Sequence, residues 1–255
     1  MDIENEQNND NVVSNKISIS EIFSLAWGET VKNLGFLLGF TFIFFVLYIV
    51  ILFLLSYSHT FNILIFIILI ILEVLFGYLL LVATVKISNG EKLSLIQYLQ
   101  DMPNNFKNLW QYILGGIVVG VILLIAYIIF FLVILFLIGE NFMVSYSSHT
   151  SPNIAFLVIG VILFIIIAVI VIDFSLRVFL YPFFIVDKNL DAISAIKKSL
   201  AVTKKHVTKI LLIAILLVVI NLVGELIFFI GLIFTIPFSE MVAVYIYKKL
   251  ESINS

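Results

Sequence analysis

Apolar residues run along this chain in blocks too long for a water-soluble core. Positions 34–56, 61–85, 109–138 and 154–186 are apolar almost without interruption, and a fifth block of 38 residues extends from Ile210 to Tyr247. A helix rises about 1.5 Å per residue, so about 20 residues match a hydrocarbon core of roughly 30 Å. Membrane-spanning strands would need apolar and polar residues in alternation. Ile65 to Leu72 and Val161 to Ile172 do not alternate, so the blocks predict helices. As one helix the fifth block would measure about 57 Å, nearly twice the core thickness. It should therefore fold back once, between Gly224 and Gly231, where Glu225 interrupts the apolar run and glycine eases a tight reversal. The last two spans then fall at 208–226 and 229–247.

The polar positions orient these spans. Short translocated loops lack lysine and arginine, whereas cytoplasmic loops retain them. In a six-span arrangement all 14 basic residues fall on one side, and the opposite loops, Tyr57 to Thr60, Gly139 to Asn153 and the Gly224 turn, contain none. A five-span arrangement would place Lys248 and Lys249 on the outer side. The charge pattern thus predicts both termini on the cytoplasmic face of a cell inner (plasma) membrane. Residues 1–17, with Asp2, Glu4, Glu6 and Asp10 among several Asn and Gln, read as a disordered cytoplasmic tail, and 251–255 as a short cytoplasmic tail. A cleaved leader is not expected, because the first apolar run begins near Leu34 behind a polar segment.

Three amphipathic segments, Ile22 to Leu34, Gln97 to Leu109 and Lys198 to Ile210, align in pattern ahead of successive span pairs. The fold expected is therefore all-α: six transmembrane helices in three hairpins within 18–250, each preceded by a helix lying in the cytoplasmic interface. Trp27 and Trp110 would sit at headgroup level.

Composition agrees with this reading and narrows the chemistry. Sixty-three per cent of the 255 residues are apolar and 12 per cent charged, against roughly 45–50 and about 25 per cent in soluble domains. Cysteine is absent, which removes disulfides and thiolate ligands. His59, His149 and His206 lack a His or carboxylate at i+3 or i+4, so no metal site is predicted. No Ser-His, paired-Asp or zinc-ligand constellation appears at a plausible depth, which argues against an enzyme and against any cofactor. Scattered lysines give nucleic-acid binding no support.

A few polar residues within the spans carry more information. Glu73 is thirteenth in the second span, where a carboxylate costs roughly 2.5–3.5 kcal/mol unless paired or neutralised. It should face protein or be protonated, either as a proton-linked or substrate-binding group or as a neutral acid bonded to a neighbouring helix. Asp173 and Arg177 stand four apart on one helix face, the spacing of an ion pair. Asn221 and Glu225 are also four apart, and either open a route toward the far side or satisfy the turn. Gly35 with Gly39 and Gly116 with Gly120 have the spacing that lets membrane helices approach closely. Pro237 should kink the last span. From Asp191 to Val207, Ile193, Ile196, Leu200 and Val207 take one side while Lys197, Lys198, Lys204 and Lys205 lie elsewhere, as in a helix resting on anionic lipid.

The segment from Arg177 through Val178, Phe179, Leu180, Tyr181, Pro182, Phe183, Phe184, Ile185 and Val186 to Asp187, followed by Ala192, Ser199, Gly231, Pro237 and Tyr245, resembles the membrane domain attached to some bacterial glycerophosphoryl diester phosphodiesterases and related six-helix bacterial membrane families. The resemblance covers about 70 residues and implies the fold. The phosphodiesterase activity of those enzymes belongs to a separate soluble domain that this chain does not contain. Two functions remain open on the sequence. One is a non-enzymatic membrane protein assisting a lipid- or envelope-related process through its basic cytoplasmic face, with membrane lipids, a protein partner or a second copy as partners. The other is a transporter or permease using Glu73, with Asp173, Arg177 or Asn221 along its route.

Overall fold

In the computed structural model the described residues are 17–57, 62–148, 154–227 and 230–254; at 55–57, 62, 136–148 and 155–157 the description is of the backbone alone. These residues form helices α1 (Ile19–Lys32), α2 (Leu34–Tyr57), α3 (Asn62–Ser88), α4 (Leu95–Gln100), α5 (Met102–Asn105), α6 (Leu109–Ser148), α7 (Ile154–Val178), α8 (Tyr181–Lys188), α9 (Ala192–Thr203), α10 (Val207–Leu226) and α11 (Leu232–Asn254), with no strand among them. Among the described residues, five stretches are long and apolar enough to cross a membrane: Leu34–Leu54, Ile63–Ser88, Met102–Leu135, Val158–Lys188 and Val207–Leu226. This is the architecture of a multi-pass membrane protein.

Several boundaries differ from those the hydropathy pattern predicts, each for a local reason. The third block does not stop at 138: α6 continues to Ser148 through the predicted loop, because Gly139 to Ser148 contains no proline to end it. The fourth block breaks at Phe179 and Leu180, and α8 restarts with Pro182 in its first turn, the one helical place where a missing N–H costs nothing. The amphipathic segment at 97–109 is two short helices rather than one, with Pro103 opening the second. In the fifth block α10 ends at Leu226 and α11 begins at Leu232. Its second part, α11, is not among the five span-like stretches. Glu240, Lys248, Lys249 and Glu251 are spread along it. The predicted tail through Lys16, His59 and His149 lie outside the described residues.

The chain divides into two compact units. The first contains the residues through Ile65, Ala83 to Gln97, and Thr208 onward. Here α1 and α2 pack on α11. Ser18 starts α1 by accepting from the Glu21 N–H at 3.3 Å, and the buried face of the helix is Ile22, Ala26 and Thr30. Trp27 meets α11 edge-on, 5.7 Å from the Phe234 ring and 5.9 Å from Phe238. It is thus held by protein as well as half exposed, where the sequence places it at headgroup level. Gly224 of α10 and Gly231, in the turn before α11, touch backbone to backbone. A Cβ added to Gly231 would come within 2.6 Å of the Gly224 Cα and O. Asn221 spans the same contact, donating to the Ser239 Oγ at 2.9 Å and to the Leu217 carbonyl at 2.9 Å.

The second unit contains Phe66 to Val82 and Tyr98 to Val207. Its core gathers α6, α7, α8 and α9. Tyr98, buried, donates to the Leu79 carbonyl at 2.6 Å, and Tyr78 donates to the Asn105 carbonyl at 2.7 Å. Burial pushes the Tyr98 phenol above its ordinary pKa. The Tyr181 ring lies so close to Gly115 that a methyl group there would collide with it. The close approaches thus occur at Gly115, Gly224 and Gly231. Of the two pairs singled out by spacing, Gly35 and Gly120 have nothing within 4 Å of an added Cβ, Gly39 only Leu95 at 3.8 Å and Gly116 only the Tyr181 hydroxyl at 3.5 Å.

Candidate functional site: a lysine surface on helix α9

Helix α9 begins at Asp191, whose carboxylate accepts from the N–H groups of Ile193 at 3.1 Å and Ser194 at 3.0 Å. Such a cap satisfies amides that have no partner within the helix. The side-chain hydrogen bond of Ser194, with these backbone donors, holds the Asp191 carboxyl below its ordinary value. The Ala192 N–H adds a bond to Gln111 Oε1 at 3.1 Å, tying the start of α9 to α6.

One face of α9 is small and apolar, with Ala192, Ala195, Ile196, Ser199, Val202 and Thr203 buried. It packs on α6, α7 and α8. Two hydroxyls on that face fasten it. Ser199 Oγ donates to the Arg177 carbonyl at 2.7 Å, and Thr203 Oγ1 lies 3.0 Å from the same oxygen and 2.7 Å from the Ser199 carbonyl. Arg177 is in the last turn of α7, where carbonyls lack intrahelical donors and a cation is favoured. Its guanidinium reaches the Leu200 carbonyl at 3.4 Å and Asp173 Oδ2 at 3.5 Å, while its buried Nε has no partner among the described residues. The predicted Asp173–Arg177 pair is therefore present, as part of a joint between α7 and α9.

This joint corrects the expectation that the apolar side of α9 rests on lipid. Ile196 is buried in protein and Leu200 is half-buried; Ile193 alone of the three is exposed. What α9 and the turn after it present outward is Lys197, Lys198, Lys204 and Lys205, all exposed and without an ion pair or hydrogen bond among the described residues. Many other cations are engaged. Lys32 pairs with Glu29 at 2.7 Å, Lys188 with Asp187 at 3.2 Å and Lys249 with Glu21 at 3.7 Å. Lys209 donates to the Ile17 carbonyl at 2.7 Å, and Lys248 donates to that of Ser88. The structure thus separates lysines that tie the chain to itself from lysines that face outward.

The remaining predicted residues do not join this surface. Glu73 does not face protein: it is exposed on α3 and makes no hydrogen bond or ion pair among the described residues. Asn221 bridges α10 to α11 rather than capping a turn, and its buried Oδ1 lacks a partner among the described residues. Glu225 is exposed near the end of α10, without a partner among the described residues. Sequence reasoning missed the anchoring role of Ser199 and Thr203. The signal available was a pair of hydroxyls four apart among alanines and valine on the face opposite the lysines.

No curated protein and no solved structure matches the chain. A family model does match, over residues 17–249, which include every helix named above except the last residues of α11. The chain belongs to the family described as a domain of unknown function (DUF7847).

Proposed function

We propose that this is a non-enzymatic multi-pass membrane protein that engages anionic lipid headgroups through Lys197, Lys198, Lys204 and Lys205. The observation that carries the reading is that all four lysines are exposed and unpaired among the described residues, on helix α9 and the turn after it, and that the opposite face of α9 is fastened into the protein. An ammonium close to an anionic membrane surface gains about 1 kcal/mol from it. Rigid display avoids ordering the helix anew on contact. The position also suits such a role, since α10, a span-like stretch, begins at Val207, directly after these lysines.

The same reading includes six crossings of a plasma membrane with both termini cytoplasmic. Support comes from the break between α10 and α11, the Gly224–Gly231 contact and the hydrogen bond from Asn221 to Ser239. The charge pattern then keeps every lysine and Arg177 on one side. A carrier working through Glu73 has less support, because Glu73 stands on the outside of its helix and Arg177 is engaged with Asp173 and Leu200.

The test is reconstitution into phosphatidylcholine vesicles with trace spin-labelled phosphatidylglycerol or spin-labelled phosphatidylcholine. The immobilised fraction of the anionic label should exceed that of the zwitterionic one, fall with added salt, and equalise in the variant with all four lysines changed to glutamine. A preference that survives the fourfold substitution would remove the lysine surface from the proposal.

A further inference from the structure

Glu73 is one of the few charged side chains in the interior of a span-like stretch, and nothing proposed above uses it. It lies ten residues beyond Ile63 and fifteen before Ser88 in the stretch Ile63–Ser88. Its side chain is exposed on α3, with no partner among the described residues. One turn before it on the same side is Ile70, 45 % exposed, and a further turn back is Phe66, 61 % exposed. Spacings of four and then three residues place these side chains in one stripe along the helix. A carboxylate in that setting is costly unless a donor meets it, and intramembrane acids pair with another group or face water or protein. A stripe of two large apolar side chains and one acid, spaced four and three, has the form of a surface that receives another helix.

We infer that the Phe66–Ile70–Glu73 stripe of α3 docks a membrane-spanning helix of a different protein, one that carries a lysine or arginine near mid-membrane. Charge complementarity selects that occupant. A second copy of this chain would offer Glu73 another Glu73, and its one basic residue well inside a span-like stretch, Arg177, is already engaged by Asp173 and the Leu200 carbonyl. A small cationic solute would need a concave site, whereas the stripe lies along a helix surface.

The probe is a leucine-rich peptide of about 20 residues with a single central lysine, compared with the all-leucine peptide, in neutral phosphatidylcholine vesicles containing the full-length protein. Association is read by energy transfer between labelled peptide and labelled protein. The lysine peptide should bind about tenfold better than the leucine peptide, the scale of one interhelical polar contact in a membrane. That advantage should vanish with Glu73→Leu and persist in part with Glu73→Gln. Because the chain has no cysteine, Ile70→Cys adds a unique thiol, which should form a disulfide with a cysteine placed one turn from the peptide's lysine. Circular dichroism of each variant checks that the helices remain. Equal binding of the two peptides, an advantage that survives Glu73→Leu, or Ile70→Cys linking two copies of the chain instead of chain to peptide would each overturn the inference. Glu73-dependent uptake of a small organic cation into the vesicles, without peptide binding, would also overturn it and assign Glu73 to a carrier.

Discussion

The hydroxyl of Ser199 donates to the backbone carbonyl of Arg177 across 2.7 Å, joining a residue of α9 to the final turn of α7. The bond has two consequences. It gives a donor to a carbonyl at a helix end, and it turns the small face of α9 inward so that the lysines face out.

Removing the joint should loosen α9 without unfolding the protein. Ser199→Ala should cost about 1 kcal/mol and the double variant with Thr203→Val about 1–3 kcal/mol, because the second change removes the remaining hydroxyl donor to the Arg177 carbonyl. Thermal unfolding in detergent gives the stability change. Faster tryptic cleavage after Lys197 and Lys198 reports the loosening, and unchanged cleavage would show that α9 is held by other contacts.

The lysines themselves should be irrelevant to stability. All four are exposed and unpaired among the described residues, so the fourfold glutamine variant should keep its unfolding free energy within about 0.5 kcal/mol per site while losing lipid preference. A large drop in melting temperature would instead mean that these lysines make structural contacts.

Glycine positions should differ sharply in tolerance. Gly231→Ala drives a methyl group to within 2.6 Å of the Gly224 Cα and carbonyl oxygen. Backbone cannot swing aside, so overpacking should cost about 1–3 kcal/mol. Gly120→Ala meets nothing within 4 Å and should change stability by less than about 0.5 kcal/mol. Paired melting curves decide the matter, and equal effects at the two sites would contradict the close contact of α10 with α11.

Asp191 predicts an acid dependence confined to α9. Its folded carboxyl lies below the ordinary 3.8, chiefly through the side-chain bond with Ser194. A depressed folded value stabilises the cap above the unfolded pKa and loses that contribution as pH falls through the folded one. Amide exchange at Ile193 and Ser194 should therefore accelerate, beyond its intrinsic pH trend, as pH drops below about 3.8. Asp191→Asn should show no such step, since its amide does not titrate.

The bridge from Asn221 to Ser239 should contribute modestly. Interhelical hydrogen bonds in membranes average about 0.6 kcal/mol and reach about 1.7. Asn221→Leu should fall within that range by unfolding in detergent, and its effect should not add to that of Ser239→Ala, since both remove the same bond.

Much of the fold was legible in the chain itself. Long apolar blocks commit their backbone to helices wherever lipid replaces water, because unsatisfied amides are too costly there. The break near Gly224 and Gly231 followed from the length of the fifth block together with Glu225 and the two glycines, and the Asp173–Arg177 pair followed from helical periodicity. The joint of Ser199 with Arg177 did not, because those residues are 22 apart and nothing local says which carbonyl a hydroxyl will reach.

By itself, then, the sequence determined that the chain is helical, that it has spans for a membrane, and which residues are charged, since hydropathy and period are properties of consecutive residues. Tertiary structure alone decided which side of α9 faces protein, which lysines are engaged and which face outward, and that Glu73 stands outside its helix. Those outcomes depend on which surfaces meet across long separations, and an amphipathic helix fits lipid and protein equally well until a neighbour such as α7 occupies its apolar side.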